Sequence, residues 1–263
     1  MEIIIYLLVG AFAGFLAGLF GVGGGAIIVP ILIFLFGLQG FDPSILVHMA
    51  LGTSFATIVF TSLSSVAAHH KLRNIDWTVV WRMFPGLVLG VVLCSILATQ
   101  LQGGLLQFAI AIFLCSVSLQ MFFELRPKAT FDLPGKVGLF AAGSAIGGAS
   151  AFFGIAGGSM TVPFLSACGL VMRKAVAISA ACGLPVAVFG ALVYGWQGSV
   201  GEGELPAYAS GYIYWPAFLG IVIASTPMAK IGAKMASELS ENVMRRSFAV
   251  VLFAVGVRLL TAT

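Results

Sequence analysis

The sequence predicts an all-α integral membrane protein, with eight to ten transmembrane segments arranged as two inverted-topology repeats whose glycine-rich helices are broken or re-entrant. Three observations carry this prediction. Of the 263 residues, 60% are hydrophobic and only 8% are charged, against about 25% charged in soluble domains. Apolar runs recur along the whole chain, and most reach or approach the ~20 residues that a helix needs to cross ~30 Å of hydrocarbon. One glycine-rich segment also occurs twice, at a shift close to half the chain length.

The apolar runs fall near 3–20, 26–38, 45–68, 78–100 and 104–123, and again near 137–153, 159–172, 175–196, 211–229 and 244–260. The first run lacks the basic start and cleavage site of a signal peptide and carries Glu2 instead, so it is expected to be a retained helix. In each set the second run is short and directly follows a glycine cluster, which predicts a half-helix or the return arm of a hairpin. Pro185, inside the eighth run, is expected to kink that helix and free a carbonyl near Cys182 and Gly183. No connector is long enough for a soluble domain of about 50 residues. The organisation expected is a single membrane domain over 1–263, with repeat one at 1–125, a cytoplasmic linker at 126–136 and repeat two at 137–263. The stretch from Gly203 to Gly211, the longest polar connector, has no counterpart in the first half and is either an external lid or only a loop.

Laying the halves together at a shift of 133 (154 minus 21) aligns Gly21-Val-Gly-Gly-Gly-Ala-Ile-Ile-Val-Pro30 with Gly154-Ile-Ala-Gly-Gly-Ser-Met-Thr-Val-Pro163, while Gly10 and Gly14 meet Gly143 and Gly147. This is duplication. Orientation follows from the loops, because Lys and Arg near membrane ends accumulate on the cytoplasmic side. Basic connectors (His69, His70, Lys71, Arg73 and Arg82; Arg126, Lys128 and Lys136; Arg173 and Lys174; Lys230, Lys234, Arg245 and Arg246) alternate with the non-basic ones at 39–43, 100–104 and 197–208. The pattern places both termini outside, makes the second half start on the opposite side from the first, and leaves Arg258 as one dissenting charge.

Glycine inside a helix costs about 1 kcal/mol relative to Ala, so glycines at membrane depth need a reason. For Gly10, Gly14, Gly86 and Gly90 the four-residue spacing predicts close helix packing. For Gly23, Gly24 and Gly25, and for Gly157 and Gly158, a run of glycine leading into an apolar helix predicts loose backbone at a helix N-terminus, which is a ready anion site. All nine acidic residues fall in loops or at segment ends, which disfavours a carboxylate proton relay or a cation cage in the core. With no Lys or Arg in mid-run, an anion would be held by N–H dipoles, hydroxyls and histidine. Candidate hydroxyls are Thr53, Ser54 and Thr57, with Ser159 and Thr161 in the second half; bonding back to the preceding helical turn is the alternative for each. His48, near the external end of its run, could bind substrate, carry a proton or sit wetted at the headgroups. Pro30, Pro163 and Pro185 are candidates for structural or gating roles.

Cys94, Cys115, Cys168 and Cys182 lie in apolar runs at no metal-ligand spacing, and no catalytic or nucleotide-binding motif is present. Neither a metal nor a cofactor is expected. The basic loops lack aromatic interleaving, which excludes nucleic acid as a partner.

The duplicated Gly-rich segment ending in Val-Pro, His48-x-Ala-x-Gly-Thr-Ser54, and the Ser65 to His69 run before Asp76-Trp77 resemble the TauE/SafE sulfite-exporter family of membrane permeases over practically the whole chain. A departure occurs in the second half, where Ala177-Ile-Ser-Ala-Ala stands in place of a second Ala-x-Gly-Thr-Ser. The resemblance implies secondary transport of small sulfur-containing anions, such as sulfite, sulfoacetate or related organosulfur compounds, across the bacterial cytoplasmic membrane. The expected partners are a small anion and the lipid bilayer. Coupling to protons or to the membrane potential, homo-oligomerisation, a passive anion channel and a permease for a different small organic anion all stay open to the sequence.

Overall fold

The computed structural model describes residues 2–20, 25–123, 132–200, 205–236 and 241–261. Among them are ten α-helices: α1 (Glu2–Phe20), α2 (Gly25–Leu38), α3 (Pro43–Lys71), α4 (Trp77–Gln100), α5 (Gly103–Phe122), α6 (Lys136–Phe153), α7 (Gly158–Ala167), α8 (Met172–Val200), α9 (Trp215–Ala236) and α10 (Glu241–Thr261). Every expected apolar run is a helix. Most of the expected linker, together with Gly203 of the long polar connector, lies outside the described residues.

Several boundaries differ from the sequence expectation: α8 and α9 run past their expected ends, to Val200 and Ala236, and two other differences have a local cause. The seventh run extends to 172, yet α7 stops at Ala167, because Gly169 at φ +79° turns the chain and the N–H of Leu170 folds back onto the Leu165 carbonyl. The ninth run starts at 211, yet α9 begins at Trp215, because the preceding residues form an antiparallel hairpin of β1 (Ala209–Ser210) and β2 (Ile213–Tyr214). Gly211 makes its turn at φ +58°.

Among the described residues, five helices, α3, α4, α5, α6 and α8, are long and apolar enough to cross a membrane. Large apolar side chains such as Leu89, Leu93, Phe108, Ile112 and Leu192 stand exposed along them, as lipid-facing surfaces require. With 14 and 10 residues, α2 and α7 rise only ~21 and ~15 Å at 1.5 Å per residue, so they are half-helices.

The most extensive packing joins α1 to α9 and α4 to α6. These seams are made by the scattered glycines. A Cβ on Gly10 would lie 2.6 Å from Ile221 Cα, and Gly14 abuts the Ser225 backbone; Gly86 and Gly90 abut the carbonyls of Phe140 and Ser144. The residue numbers rise together along both seams, so each pair is parallel. At the centre α3 runs antiparallel to α8, with Gly52 against Tyr194 and Gly190 against Phe55. Likewise, α5 is antiparallel to α10, tied by Ser118 Oγ donating to the Ala249 carbonyl (2.7 Å) and Gln107 Nε2 donating to the Leu259 carbonyl (3.1 Å).

Contacts of Thr53 with Tyr214 and of Phe60 with Phe218 make α9 parallel to α3. The bond from Gln197 to Thr99 joins the last turns of α8 and α4, which makes those two parallel. Thus α1, α3 and α9 share one direction, α4, α6 and α8 the other, and α1 and α6 run oppositely. His69, His70 and Lys71 close α3, while Lys136 opens α6 and Arg173 and Lys174 open α8; all therefore lie at one end of the bundle. Asp42, at the other end, caps α3 by accepting bonds from the Ser44 N–H (2.8 Å) and hydroxyl (2.7 Å), which hold its carboxyl below the usual carboxylate range.

Candidate functional site

The start of α2 meets the second glycine break. Gly25, the first residue of α2, is buried so closely against the end of α6 that a Cβ there would lie 2.8 Å from the Gly154 carbonyl oxygen and 3.1 Å from Ile155 Cα. Gly154 ends α6 in the left-handed conformation (φ +64°), as residues past helix C-termini commonly do. Its carbonyl accepts a bond from the Ser54 hydroxyl of α3 at 3.1 Å. Ser54 is the twelfth residue of α3, ~17 Å along its axis at 1.5 Å per residue, so this junction sits near the bilayer midplane. From the far side, Gly183 of α8 approaches the Ala156 carbonyl, to which a Cβ would come within 2.8 Å. Pro185, two residues on, cannot bond the Ala181 carbonyl, so α8 is weakest where it touches the break.

Beyond the break the chain enters α7. Its N-cap, Gly157, is again left-handed (φ +72°) and offers no side-chain cap. The N–H groups of Met160 and Thr161 are both taken by the Gly157 carbonyl, at 3.0 and 2.7 Å. Those of Gly158 and Ser159 have no acceptor inside the helix, as for any first turn. Side chains lean toward a helix N-terminus, and Thr161 Oγ1 accordingly lies 3.5 Å from where a Cβ of Gly157 would be. Thr161 is fully buried, and its hydroxyl has no hydrogen-bond partner among the described residues. Ser150 Oγ, on the same side of Gly157, is committed to the Ile146 carbonyl at 2.7 Å. The result is a small set of unspent donors at a buried helix N-terminus, where the dipole favours negative charge.

The sequence candidates divide. Gly25, Ser54, Gly157, Gly158 and Thr161 come together at this junction. Gly23, Gly24 and the Ser159 side chain lie outside the described residues. Thr53 faces elsewhere, its hydroxyl accepting the Tyr214 N–H of β2 at 3.0 Å. Thr57 bonds back to the Thr53 and Ser54 carbonyls at 2.6 and 2.9 Å. Pro30 and Pro163 are each the sixth residue of their half-helix, and each releases the carbonyl four residues earlier, of Ala26 and Ser159.

His48 lies six residues before Ser54, ~9 Å along the helix, and is buried instead of wetted at the headgroups. Nδ1 is 3.2 Å from the Ser44 carbonyl and Nε2 3.2 Å from the Ala98 carbonyl of α4, and the ring lies 5.3 Å from that of Tyr212. A neutral imidazole can donate to only one of those oxygens, whereas an imidazolium donates to both.

Sequence reasoning missed the hairpin's aromatics. Tyr214 packs against Tyr6, Phe36 and Phe41, and Tyr212 donates its N–H to the Tyr194 carbonyl (3.3 Å), so the hairpin is inserted among α1, α2, α3 and α8 well inside the bundle. Tyr194 in turn donates its hydroxyl to the Ala151 carbonyl at 3.0 Å. The available signal was two tyrosines flanking Ile213 after a glycine, an alternation suited to a short strand.

Residues 6–259 match the sulfite exporter TauE/SafE family. A Haemophilus influenzae protein named "Probable membrane transporter protein" is 38% identical over 98% of this chain and 97% of its own length. Proteins of the same designation from Methanocaldococcus jannaschii and Bacillus subtilis are each 28% identical, covering 97% and 99% of this chain and 94% and 98% of their own. A match of this extent, on a bundle with lipid-facing apolar helices, identifies a multi-pass membrane transporter, and the chain belongs to the TauE/SafE sulfite exporter family.

Proposed function

We propose that the protein is a secondary transporter of small sulfur-containing anions, such as sulfite, sulfoacetate or related organosulfur compounds, working by alternating access in the bacterial cytoplasmic membrane with both termini outside. The observation that carries this reading is the uncapped N-terminus of α7. It lies at membrane depth, just past the Gly154–Ile155 backbone against which Gly25 of the other half packs, and the buried Thr161 hydroxyl beside it has no partner among the described residues. N–H dipoles and hydroxyls bind an oxyanion without a fixed positive charge, which leaves it free to depart. The opposite directions of α1 and α6, and packing pairs that interchange when the halves are exchanged (α1 on α9 for α6 on α4), support the inverted repeat. Basic residues gathered at one end of the bundle support the orientation. His48, held between two carbonyls, is the group we assign to proton coupling.

The test is flux of sulfite, thiosulfate, sulfoacetate and sulfate into sealed proteoliposomes, with and without a proton gradient and a membrane potential. Saturable, gradient-driven accumulation of one sulfur anion is expected. Flux that only dissipates a gradient would make the protein a channel, and transport of a carboxylate in preference to every sulfur anion would overturn the substrate class.

A further inference from the structure

A second site lies away from the glycine breaks, at the end of the bundle that holds the α2–α3 and α4–α5 connectors. A cavity of about 600 Å³ opens there between α2, α3, α5 and α10, within the ~300–1,000 Å³ typical of ligand pockets. Among the described residues, its wall is apolar apart from Gln107 and Arg258. Gln107 is neutral and gives one amide N–H to the Leu259 carbonyl, so the guanidinium is the charged group that can select a ligand. No carboxylate is among the described residues that line the cavity, and the acidic residue of α10, Glu241, is at the helix's opposite end. Phe34 and Leu38 are 49% and 70% exposed, so the cavity faces the bilayer. Arg258, one turn from the end of α10, is exposed at its rim, and it is also the charge that dissents from the loop pattern.

We propose that this cavity binds one anionic phospholipid, with an acyl chain along α2 against Pro30 and Phe34 and the headgroup phosphate on Arg258. An apolar wall open to lipid fits an acyl chain, and a planar guanidinium at headgroup depth matches a phosphate in geometry as well as charge. The lipid fills the gap where α2 only lightly touches α10.

The test uses full-length protein in nanodiscs containing phosphatidylglycerol and phosphatidylcholine in equal amounts, released and weighed by native mass spectrometry. Wild type is expected to retain one phosphatidylglycerol per chain. Arg258→Gln should lower the preference for phosphatidylglycerol about fivefold, the effect of one basic residue near an anionic lipid. Gly37→Leu fills the cavity without touching the charge, since a Cβ there meets only Leu46 Cδ1 at 3.7 Å, and it should displace both lipids. An unchanged preference in Arg258→Gln would overturn the site. So would lipid retained by Gly37→Leu, or a dimer of wild type that Gly37→Leu splits into monomers, because the face would then be covered by a second copy.

Discussion

Replacing Thr161 by Val separates substrate contact from structural support. The change removes one hydroxyl and keeps the side-chain shape. Because that hydroxyl is fully buried without a partner among the described residues, no bond to them is lost; burying an idle hydroxyl costs about 1–3 kcal/mol, so the variant should unfold at an equal or higher temperature. If the hydroxyl donates to a bound anion, the loss is instead that of a bond to a charged acceptor, about 1.5–3 kcal/mol, which weakens apparent affinity about 10- to 150-fold. The assay is initial sulfite flux into proteoliposomes at a fixed driving force, giving KM, with thermal unfolding measured in detergent. Thr57→Val is the control. It loses bonds to the Thr53 and Ser54 carbonyls and should lower stability slightly while leaving KM unchanged. Thr161→Val with an unchanged KM and raised stability would refute the site, since the hydroxyl would then be idle in the transporting protein as well.

Gly157→Val puts a β-branched side chain at φ +72°, with its Cβ 3.1 Å from Ile146 Cγ2, and left-handed backbone alone costs such a residue about 1–2 kcal/mol. It should abolish flux while membrane insertion, read by fractionation, stays normal; normal flux would remove Gly157 from the site. Thr53→Val removes the bond that the Tyr214 N–H makes to the Thr53 hydroxyl, about 0.5–1.5 kcal/mol, and is expected to raise amide exchange over 209–214. Protection equal to wild type would mean that the aromatic packing alone seats the hairpin. His48→Gln should flatten the pH dependence of flux, whereas His70→Gln, in the last turn of α3, should leave it intact. A wild-type pH profile in His48→Gln would exclude that residue from coupling.

The helices were legible because membrane depth forces every apolar run to satisfy its own backbone, so hydropathy alone finds α3, α4, α5, α6 and α8. The glycine seams were legible too, since the spacing of Gly10 and Gly14, or Gly86 and Gly90, has few other uses. What the sequence left undivided was the hydroxyls. Thr53 and Thr57 share one face of α3 and Ser54 lies on the next, and only the three-dimensional neighbours separate a hairpin anchor, a bond across to Gly154 and a back-bonded threonine. His48 likewise reads as interfacial from its place in the run. Its burial depends on Ala98, 50 residues away on α4, and on Tyr212 of a hairpin that hydropathy reads as the start of a helix.

The seams also bear on which bodies could move. Each of the two most extensive interfaces joins a helix of one half to a helix of the other, backbone against backbone, so the halves cannot rock past each other without breaking them. Under alternating access the moving bodies would be the α1–α9 and α4–α6 pairs, turning about the central α3 and α8. A disulfide can test this. A Cβ at position 148 would lie 3.8 Å from Cys94 Cβ, within the ~3.5–4.5 Å span of disulfides, so Gly148→Cys should bond to the native Cys94 on oxidation and lock α4 to α6. If that pair moves as one, the oxidised variant transports as fast as the reduced one. If the halves themselves rock, α4 and α6 must slide apart in each cycle, and the bond will stop transport until a reductant restores it.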